Sequence, residues 1–332
     1  MAVTAGCRGD RVGPTRSARH DDVSDPAVAY ANRRAGGDVY REGYVDAENY
    51  RLHYVEAGPE QGELVFFYHG FPSFWLCFRP QMEALRRRYR VVAVDALGAG
   101  LSDKPDDLAA YKVEALAAQL DAVARHLNGD QQFHLIGHDW GAALAWAYAA
   151  AYGERLRSVI GMSAPSYNAL LELLETNEKQ RLRSEYMQHF RATTAAEIRA
   201  DPPGETLWAR SYDRLLARGD LSAEEGALFR QALAPAAASN GGYNWYRANI
   251  PPFDEIDESD YWPARGSVIE PPALLLWGEE DQIFESQFLD IMKRDCRALD
   301  IKILPKINHW TSMQAPDNAT ARIVDFLQSI DG

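Results

Sequence analysis

The residues that decide the fold are Gln132-Phe133-His134-Leu135-Ile136-Gly137-His138-Asp139-Trp140-Gly141, followed by an alanine-rich run over 142–151. The apolar segment 132–136 predicts a buried strand, and the alanine-rich run predicts a helix. A strand that turns sharply into a helix between small glycines is typical of a nucleophile elbow, which lifts its central side chain above the sheet. We therefore expect Asp139 at the apex of a strained turn.

The residue at the centre of this turn is an aspartate rather than a serine. A carboxylate there would attack a carbon electrophile and form an alkyl ester, whereas a serine would form an acyl ester. An aspartate in front of a helix also often serves only as an N-cap that accepts hydrogen bonds from backbone amides. Asp139 is therefore either a helix cap or the nucleophile for an epoxide or a carbon–halogen bond.

The composition bounds the size of the protein and the class of partner. With 332 residues, 46% of them hydrophobic, the chain can bury a full α/β core and a second, smaller layer. It has 35 Lys and Arg against 48 Asp and Glu, a formal charge of −13, which argues against nucleic acid or an anionic membrane as partner. No stretch approaches the roughly twenty apolar residues of a membrane span, and no apolar run marks a secretory signal. We expect a cytoplasmic protein with a neutral or small organic substrate.

The three cysteines, Cys7, Cys77 and Cys296, are far apart and form no C-x-x-C spacing. Their odd number argues against a disulfide framework, and their spacing argues against a zinc site. The cysteines therefore predict neither disulfides nor bound metal.

Apolar segments and amphipathic helical patterns alternate through the first half of the chain and again near its end. The predicted strands are 51–57, 64–68, 91–95, 132–136, 157–162, 273–277 and 301–304. The predicted helices that alternate with them are 80–88, 113–127 and 318–330. This alternation indicates an α/β fold with a doubly wound, mostly parallel sheet.

Between residues 166 and 262 the pattern changes to charged, aromatic-rich helical stretches without a buried strand. These stretches are 170–191, 195–200, 205–218, 223–234 and 243–248. They predict a helical lid over 166–262, inserted into an α/β-hydrolase core formed by 41–165 and 263–332. Residues 1–40 mix Arg, Asp, Gly, Ala and Pro and predict a partly disordered amino-terminal arm.

In chain order Asp139 is followed by Asp281 and His309, each soon after a predicted strand. The α/β-hydrolase arrangement has this order of nucleophile, acid and histidine along the chain. It places the acid and the histidine on loops at the carboxyl ends of strands. Taken singly, Asp281 could be a loop-capping acid with Glu279 and Glu280 as competing carboxylates, and His309 could be a solvated or core histidine. The joint placement favours a catalytic set.

The segment His69-Gly70-Phe71-Pro72 follows the predicted strand 64–68, where this architecture forms the other half of its oxyanion hole. The backbone amides of Phe71 and Trp140 are then expected to point at the carboxylate of Asp139. A tight turn before Pro72 is also a place for a cis peptide bond. The alternative is an ordinary turn.

Five segments make the chain resemble the α/β-hydrolase-fold epoxide hydrolases, from about residue 44 to the end. They are 69–72, 95–102, 137–141, 244–247 and 308–309. The resemblance implies that Asp139 is the nucleophile, His309 the base that activates water and Asp281 the acid that orients it. It also implies that the partners are a small-molecule epoxide and water and that no metal or organic cofactor is required.

The resemblance further implies two lid tyrosines that hydrogen-bond the epoxide oxygen and protonate the alkoxide. Tyr246, in the segment 244–247, matches the second of them. The segment 184–190 matches the first in two registers, one with Tyr186 and the other with His189. Tyr186 is preferred because a phenol of high pKa stays protonated at neutral pH, although both tyrosines could instead be core aromatics of a helix.

Other residues of the matching segments are expected to line the substrate site or depart from the family pattern. The residues expected to contact substrate are His69, Pro72, His189 and Trp245. Leu97 stands where the family usually has arginine, and Asn308 stands where it commonly has glycine. Neither departure removes a catalytic group.

Two other functions compete with this interpretation. A haloalkane dehalogenase uses the same nucleophile, base and Trp140-type neighbour, but Phe71 stands where one branch of that family has asparagine, and the Tyr246 motif favours epoxides. A fluoroacetate dehalogenase has arginines at the positions of Trp140 and Ala143. A catalytically silent binding homologue usually lacks one member of the triad, and all three are present here. The sequence leaves open which epoxide is accepted and whether the protein forms a homo-oligomer.

Overall fold

A computed structural model describes residues 24–331, which contain one mixed sheet of eight strands. The strands are β1 (Arg41–Ala47), β2 (Tyr50–Ala57), β3 (Leu64–Tyr68), β4 (Arg90–Val94), β5 (Phe133–His138), β6 (Leu156–Met162), β7 (Ala273–Gly278) and β8 (Leu299–Leu304). Their order across the sheet is β1-β2-β4-β3-β5-β6-β7-β8. The β1–β2 and β2–β4 pairs are antiparallel, and the remaining pairs from β4 to β8 are parallel. The predicted mostly parallel α/β fold is confirmed.

Helices cover both faces of the sheet. Those of the core are α1 (Pro26–Ala35), α2 (Arg79–Leu85), α3 (Val113–Asn128), α4 (Trp140–Ala151), α13 (Phe288–Asp295), α14 (Thr311–Gln314) and α15 (Pro316–Asp331). Those between β6 and β7 are α5 (Tyr167–Thr176), α6 (Glu178–Arg183), α7 (Glu185–Ala192), α8 (Ala195–Ala200), α9 (Gly204–Ser211), α10 (Asp213–Arg218), α11 (Ala223–Leu233) and α12 (Ala236–Asn249). This succession of helices occupies the segment predicted as a lid.

The inner parallel strands β3, β5 and β7 are buried on both faces, as their continuous apolar sequences predict, whereas the edge strand β8 is largely accessible to solvent. All five residues of β3 are buried. Phe66 packs into the hydrophobic cluster that contains residues of α3 and α4, whereas Phe67 packs into the cluster that contains residues of α2 and α15. Side chains of one strand alternate between these two clusters because successive residues of a strand point to opposite faces.

The predicted partly disordered arm included residues 24–40, but the structure shows this segment folded, with α1 at 26–35. Oδ1 of Asp25 accepts a hydrogen bond from the amide of Ala27 at 2.8 Å, and Pro26 occupies the first position of α1. The indole of Trp75 donates to Oδ2 of Asp25 at 2.6 Å, and Tyr30 is buried. An N-cap followed by proline starts the helix, and these contacts hold it on the core. The prediction for residues 1–23 lies outside the described residues.

The helices of the lid begin and end at positions that periodicity alone does not reveal. The predicted stretch 170–191 is three helices, with breaks at Asn177, whose Oδ1 caps α6 through the amide of Gln180, and at Ser184. The last lid helix begins at Ala236, seven residues earlier than predicted. Gly241 and Gly242 are helical, and they pack against Gly98 and Phe71 of the core so closely that a side chain would not fit.

No helix within residues 24–331 combines the length and the apolar character needed to cross a lipid bilayer.

Candidate active site

Asp139 lies in the turn between β5 and α4, and its backbone has φ 56° and ψ −126°. This left-handed conformation is strained for a residue with a side chain, by about 1–3 kcal/mol. The side chain makes no capping hydrogen bond to α4, although the residue occupies the N-cap position. The helix-cap interpretation is therefore wrong, and the carboxylate is free to point away from the helix.

The sharp turn depends on two glycines that flank it. A Cβ atom at Gly137 would lie 2.1 Å from the carbonyl oxygen of Gly141, and one at Gly141 would lie 1.9 Å from the carbonyl oxygen of Tyr68. Both contacts are with backbone, which cannot move aside as a flexible side chain could. The glycines therefore let α4 start close against β3 and β5.

Replacing Gly141 with alanine is expected to lower the free energy of unfolding by about 2–3 kcal/mol, because the new methyl group overpacks a rigid backbone. Urea denaturation of the purified variant measures this loss. The matched control is Gly37→Ala, since no atom lies within 4 Å of the added Cβ and the backbone has no positive φ. The control should change stability by less than about 0.5 kcal/mol. Equal stability of the two variants would contradict the close packing of the elbow.

The three predicted triad residues meet above the carboxyl ends of the strands. Nδ1 of His309 lies 2.9 Å from Oδ2 of Asp281, and Nε2 of His309 lies 3.2 Å from Oδ2 of Asp139. The other oxygen of Asp281 accepts a hydrogen bond from the amide of Ile283 at 2.7 Å, so this acid also caps its own loop. Glu279 and Glu280, the competing carboxylates, are exposed. The geometry therefore selects Asp281 as the partner of His309.

Charges around the triad fix its protonation state. Burial alone would lower the pKa of His309, but the charges and hydrogen bonds of Asp281 and Asp139 more than offset it and raise that pKa to about 10. Burial alone would raise the pKa of Asp139, but the hydrogen bond and charge of His309 hold it below the ordinary value. At neutral pH the free protein therefore has an imidazolium between two carboxylates.

Backbone amides surround the second oxygen of Asp139. The amide of Phe71 donates to Oδ1 of Asp139 at 2.8 Å, and the neighbouring backbone amide of Trp140 helps to lower the pKa of this carboxyl group. A Cβ atom at Gly70 would lie 2.1 Å from the same Oδ1, so only glycine fits there. The Phe71–Pro72 peptide bond is cis, as predicted. Oδ1 therefore lies in the predicted oxyanion hole, and Oδ2 contacts His309.

Two lid tyrosines lie above Asp139. Tyr186 of α7 and Tyr246 of α12 line, together with Asp139 and Trp140, a cavity of about 280 Å³. The ring centres of Tyr186 and Tyr246 are 6.1 Å apart, and those of Trp140 and Tyr246 are 5.3 Å apart. Burial raises the pKa of each phenol, so both carry their protons at neutral pH. The cavity therefore places two proton donors opposite one ionised carboxylate.

The two registers of the segment 184–190 put different residues at the first proton-donor position, and the structure places those two residues differently relative to Asp139. Tyr186 lines the cavity with Asp139, whereas His189 lies on α7 outside that lining and contacts Phe190 at a ring distance of 6.1 Å. His189 is exposed, whereas Tyr186 is partly buried, so the structure favours the register with Tyr186 at the cavity.

Three other residues predicted to contact substrate, His69, Pro72 and Trp245, lie outside the lining of the cavity that contains Asp139. Nε2 of His69 accepts from the amide of Ala96 at 2.9 Å, and its Nδ1 donates to the carbonyl of Gly70 at 2.8 Å. The indole of Trp245 donates to the carbonyl of Leu97 at 3.0 Å. These polar atoms are already paired and have none left for a substrate. His69, Pro72 and Trp245 instead line a second, apolar cavity of about 440 Å³ beside the oxyanion loop.

The two departures from the family pattern fit the structure. Leu97 is fully buried, and its carbonyl holds Trp245 of the lid. Asn308 accepts from the amide of Trp310 at 3.0 Å through its side chain, and its own amide donates to Gln314 at 2.7 Å. Asn308 therefore fastens the loop that carries His309, which a glycine could not do with a side chain.

His138 is a residue of the site that the sequence analysis did not assign. Its Nε2 lies 2.9 Å from the carbonyl oxygen of His309, and its ring stacks on Trp310 at 5.6 Å. Burial and the neighbouring charge of His309 lower the pKa of His138 to about 4, so the ring is neutral and Nε2 donates. Its position directly before Asp139 was a signal for this contact between the elbow and the histidine loop.

Two clusters away from Asp139 have the residue types of metal ligands. Within residues 24–331 they are Asp25, His53 and Asp95, and Glu63, His134 and Asp331. In the first, His53 lies 2.8 Å from Asp95 and 3.2 Å from Glu42. In the second, Arg157 and Arg88 pair with the carboxylates. Both clusters therefore have internal charge partners and tie the edges of the fold together.

Comparison with known proteins assigns the family. The α/β hydrolase fold family matches residues 63–316. Epoxide hydrolase 3 of Xenopus tropicalis is 30% identical over 291 residues, which cover 84% of this chain and 75% of that protein. Epoxide hydrolase 4 of Mus musculus is 30% identical over 284 residues, covering 84% and 76%. The crystal structure of Bacillus megaterium epoxide hydrolase with an inhibitor superposes with a TM-score of 0.76 at 26% identity, covering 86% of this chain and all of that one. The chain belongs to the α/β hydrolase fold family and, within it, to the epoxide hydrolases.

Proposed function

We propose that this protein hydrolyses a small-molecule epoxide to a vicinal diol through an ester between substrate and Asp139. The single observation that carries the proposal is an ionised aspartate, hydrogen-bonded by the amide of Phe71, in a cavity that also contains two protonated tyrosines. A carboxylate nucleophile and facing proton donors are what opening of a neutral three-membered ring requires. Membership of the epoxide hydrolases supports the same reaction.

In the first step Oδ2 of Asp139 attacks one carbon of the epoxide while the bond from that carbon to the ring oxygen breaks. The ring oxygen leaves as an alkoxide and takes a proton from a lid tyrosine. Oδ1 remains in the oxyanion hole and becomes the carbonyl oxygen of the new ester. The tyrosines act because hydrogen bonds to the ring oxygen strengthen as its negative charge develops.

In the second step a water molecule attacks the ester carbonyl carbon, and His309 takes a proton from that water. Ester formation prepares His309 for this role, because it removes the charge of Asp139, one of the two carboxylates that raise the pKa of the imidazole. The amides of Phe71 and Trp140 stabilise the oxyanion, and collapse of the tetrahedral intermediate releases the diol. One oxygen of the regenerated Asp139 then comes from water.

The geometry argues against the dehalogenase alternative. Such an enzyme uses the Trp140-type indole as a donor to the leaving halide, whereas here the Trp140 ring lies edge to face against the ring of Tyr246, with their centres 5.3 Å apart. Phe71 offers no side-chain donor, and its ring lies among Phe190, Tyr243 and Tyr246. The cavity therefore presents phenols, not a halide-binding pair. The presence of all three triad residues argues against a silent binding homologue.

Product analysis tests the proposal directly. Aryl, short alkyl and bulky epoxides are each incubated with the protein, diol is measured by chromatography, and halide release is measured in parallel with a bromoalkane. We expect diol from at least one epoxide and no halide above the level of Asp139→Ala. Halide release without diol would favour the dehalogenase, and neither product would favour the silent homologue. A cytoplasmic location stays a prediction of the sequence.

A further inference from the structure

Arg210, on the lid helix α9, lies against the outer face of the catalytic pocket. Its guanidinium carbon is 4.9 Å from the centre of the Tyr186 ring and 6.0 Å from that of Phe190. The side chain is exposed, and Tyr186 is partly buried between it and the cavity. A guanidinium over a phenol ring is attracted by the ring and by any negative charge that the phenol acquires.

Within residues 24–331 Arg210 has no carboxylate partner, unlike Arg218 and Arg230 of the same lid. Arg218 pairs with Asp220 at 2.8 Å, and Arg230 pairs with Glu205. In the described part of the chain, no carboxylate forms an ion pair with Arg210, and its guanidinium makes no hydrogen bond. Because the protein carries a formal charge of −13, acidic partners are plentiful on its surface. The contacts of Arg210 are instead with the aromatic rings beside the pocket.

The two tyrosines of the cavity have different electrostatic surroundings. The charged groups that act on Tyr186 are Asp139, Asp281 and Arg210, and Arg210 is the one that lowers its pKa. Its hydrogen bond with Tyr246 also lowers the pKa of Tyr186 but raises that of Tyr246. The compensating partner of Tyr246 is the side chain of Trp140, a neutral donor. Of the two phenol rings, only that of Tyr186 has a cation against it in the described part of the chain.

We propose that Arg210 stabilises the phenolate that forms on Tyr186 during ring opening, and so makes Tyr186 the tyrosine whose proton passes to the epoxide oxygen. Tyr246 then keeps its proton and supports the same oxygen by a hydrogen bond. Arg210 does not touch substrate and acts through Tyr186, so it is a positioning residue. The inference rests on the proposed epoxide hydrolysis.

The proton balance of this step is closed within the reaction. The carbon–oxygen bond of the epoxide breaks, the hydroxyl proton of Tyr186 moves to the ring oxygen, and a phenolate remains under the guanidinium. After the ester has formed, His309 releases its imidazolium proton, which passes through solvent to the Tyr186 phenolate and restores the phenol. In the second step the neutral His309 takes a proton from water and is an imidazolium again, so both residues return to their starting states and one water is added to the epoxide.

The test measures formation of the ester and its hydrolysis separately by rapid mixing of enzyme with excess epoxide, acid quenching and mass spectrometry. Arg210→Met is expected to slow ester formation about threefold to tenfold, because it removes the cation from the ring. Arg210→Lys should recover most of the rate, and hydrolysis of the ester should not change in either variant. The matched control is Arg230→Met, since Arg230 lies 4.5 Å from the centre of the Trp208 ring, away from the pocket.

A double-mutant cycle makes the outcome specific to one tyrosine. In a Tyr246→Phe background the Arg210→Met effect should persist, and in a Tyr186→Phe background it should disappear. An equal effect in both backgrounds, an effect on ester hydrolysis, or the same loss in Arg230→Met would overturn the role of Arg210. Failure of the proposed function is distinguishable, because the enzyme with Arg210 and both tyrosines intact would then form no ester with any epoxide, and the inference would fall with it.

Discussion

Replacing Asp139 with alanine is expected to lower kcat/KM for diol formation by about 10⁴-fold or more, because the ester cannot form without this carboxylate. No nearby acid can replace it. The oxygens of Asp281 are held by His309 and by the amide of Ile283, so this residue cannot turn toward the cavity. The measurement is diol formation under pseudo-first-order conditions at epoxide concentrations far below KM.

The fold of the Asp139→Ala variant should be intact, and this separates lost chemistry from lost structure. The Asp139 side chain caps no helix, and β5 and α4 are held by their own backbone hydrogen bonds. Circular dichroism and a thermal melt are therefore expected to match those of the unsubstituted protein within a few degrees. Retention of activity within tenfold, with the fold unchanged, would mean that water attacks the epoxide directly.

Isotope labelling supplies a second readout for the same residue. After several turnovers in water enriched in oxygen-18, the peptide that contains Asp139 should gain about 2 mass units, since hydrolysis of the ester delivers a water oxygen to the carboxylate. One oxygen of each diol should then come from the carboxylate of Asp139, so the diol of the first turnover should lack the label and later diols should contain it. Label in the diol from the first turnover, with none in the peptide, would contradict the covalent route.

The sequence predicted the parts of the fold whose local pattern and tertiary surroundings agree. Strand β3 spans the predicted residues 64–68, because a continuous apolar run suits a strand buried on both faces. The elbow and the order of Asp139, Asp281 and His309 were also readable, since each follows a strand and parallel strands bring their carboxyl ends to one edge.

The remaining features depend on contacts between segments that are distant in the chain. The start of α12 was placed too late because Gly241 and Gly242 resemble a loop, yet a Cβ at Gly242 would lie 1.9 Å from the Phe71 ring. His69 and Trp245 were expected to contact substrate, but their polar atoms bind backbone carbonyls and amides of the core. Composition and periodicity do not predict such contacts, because each joins residues that are far apart in the sequence.

Replacing His309 with glutamine is expected to separate the two halves of the reaction. Glutamine can still donate to Asp281 but cannot take a proton from water, so ester hydrolysis should slow by about 10³-fold or more. Formation of the ester uses Asp139 and the lid tyrosines and should change by less than about tenfold. Intact-protein mass spectrometry after one turnover should then show a mass increase equal to the epoxide, located on Asp139.

The pH dependence of ester hydrolysis in the unsubstituted protein provides the control. In the free protein Asp281 and Asp139 raise the pKa of His309 to about 10. Once Asp139 is esterified its charge is gone and Asp281 alone of the two carboxylates still raises the pKa of His309, so that pKa falls. Because only the neutral imidazole accepts a proton, hydrolysis should rise with pH through this lowered pKa and then level off.

The His309→Gln variant should lose this rise with pH while keeping the ester, since the glutamine side chain does not titrate and cannot take a proton from the water. A variant that stays unmodified in a single turnover with a substrate of the unsubstituted protein would mean that His309 is needed before the ester forms. A variant that hydrolyses its ester with the original pH profile would place the base elsewhere. In that case the 3.2 Å contact between His309 and Asp139 would serve only to hold the nucleophile ionised.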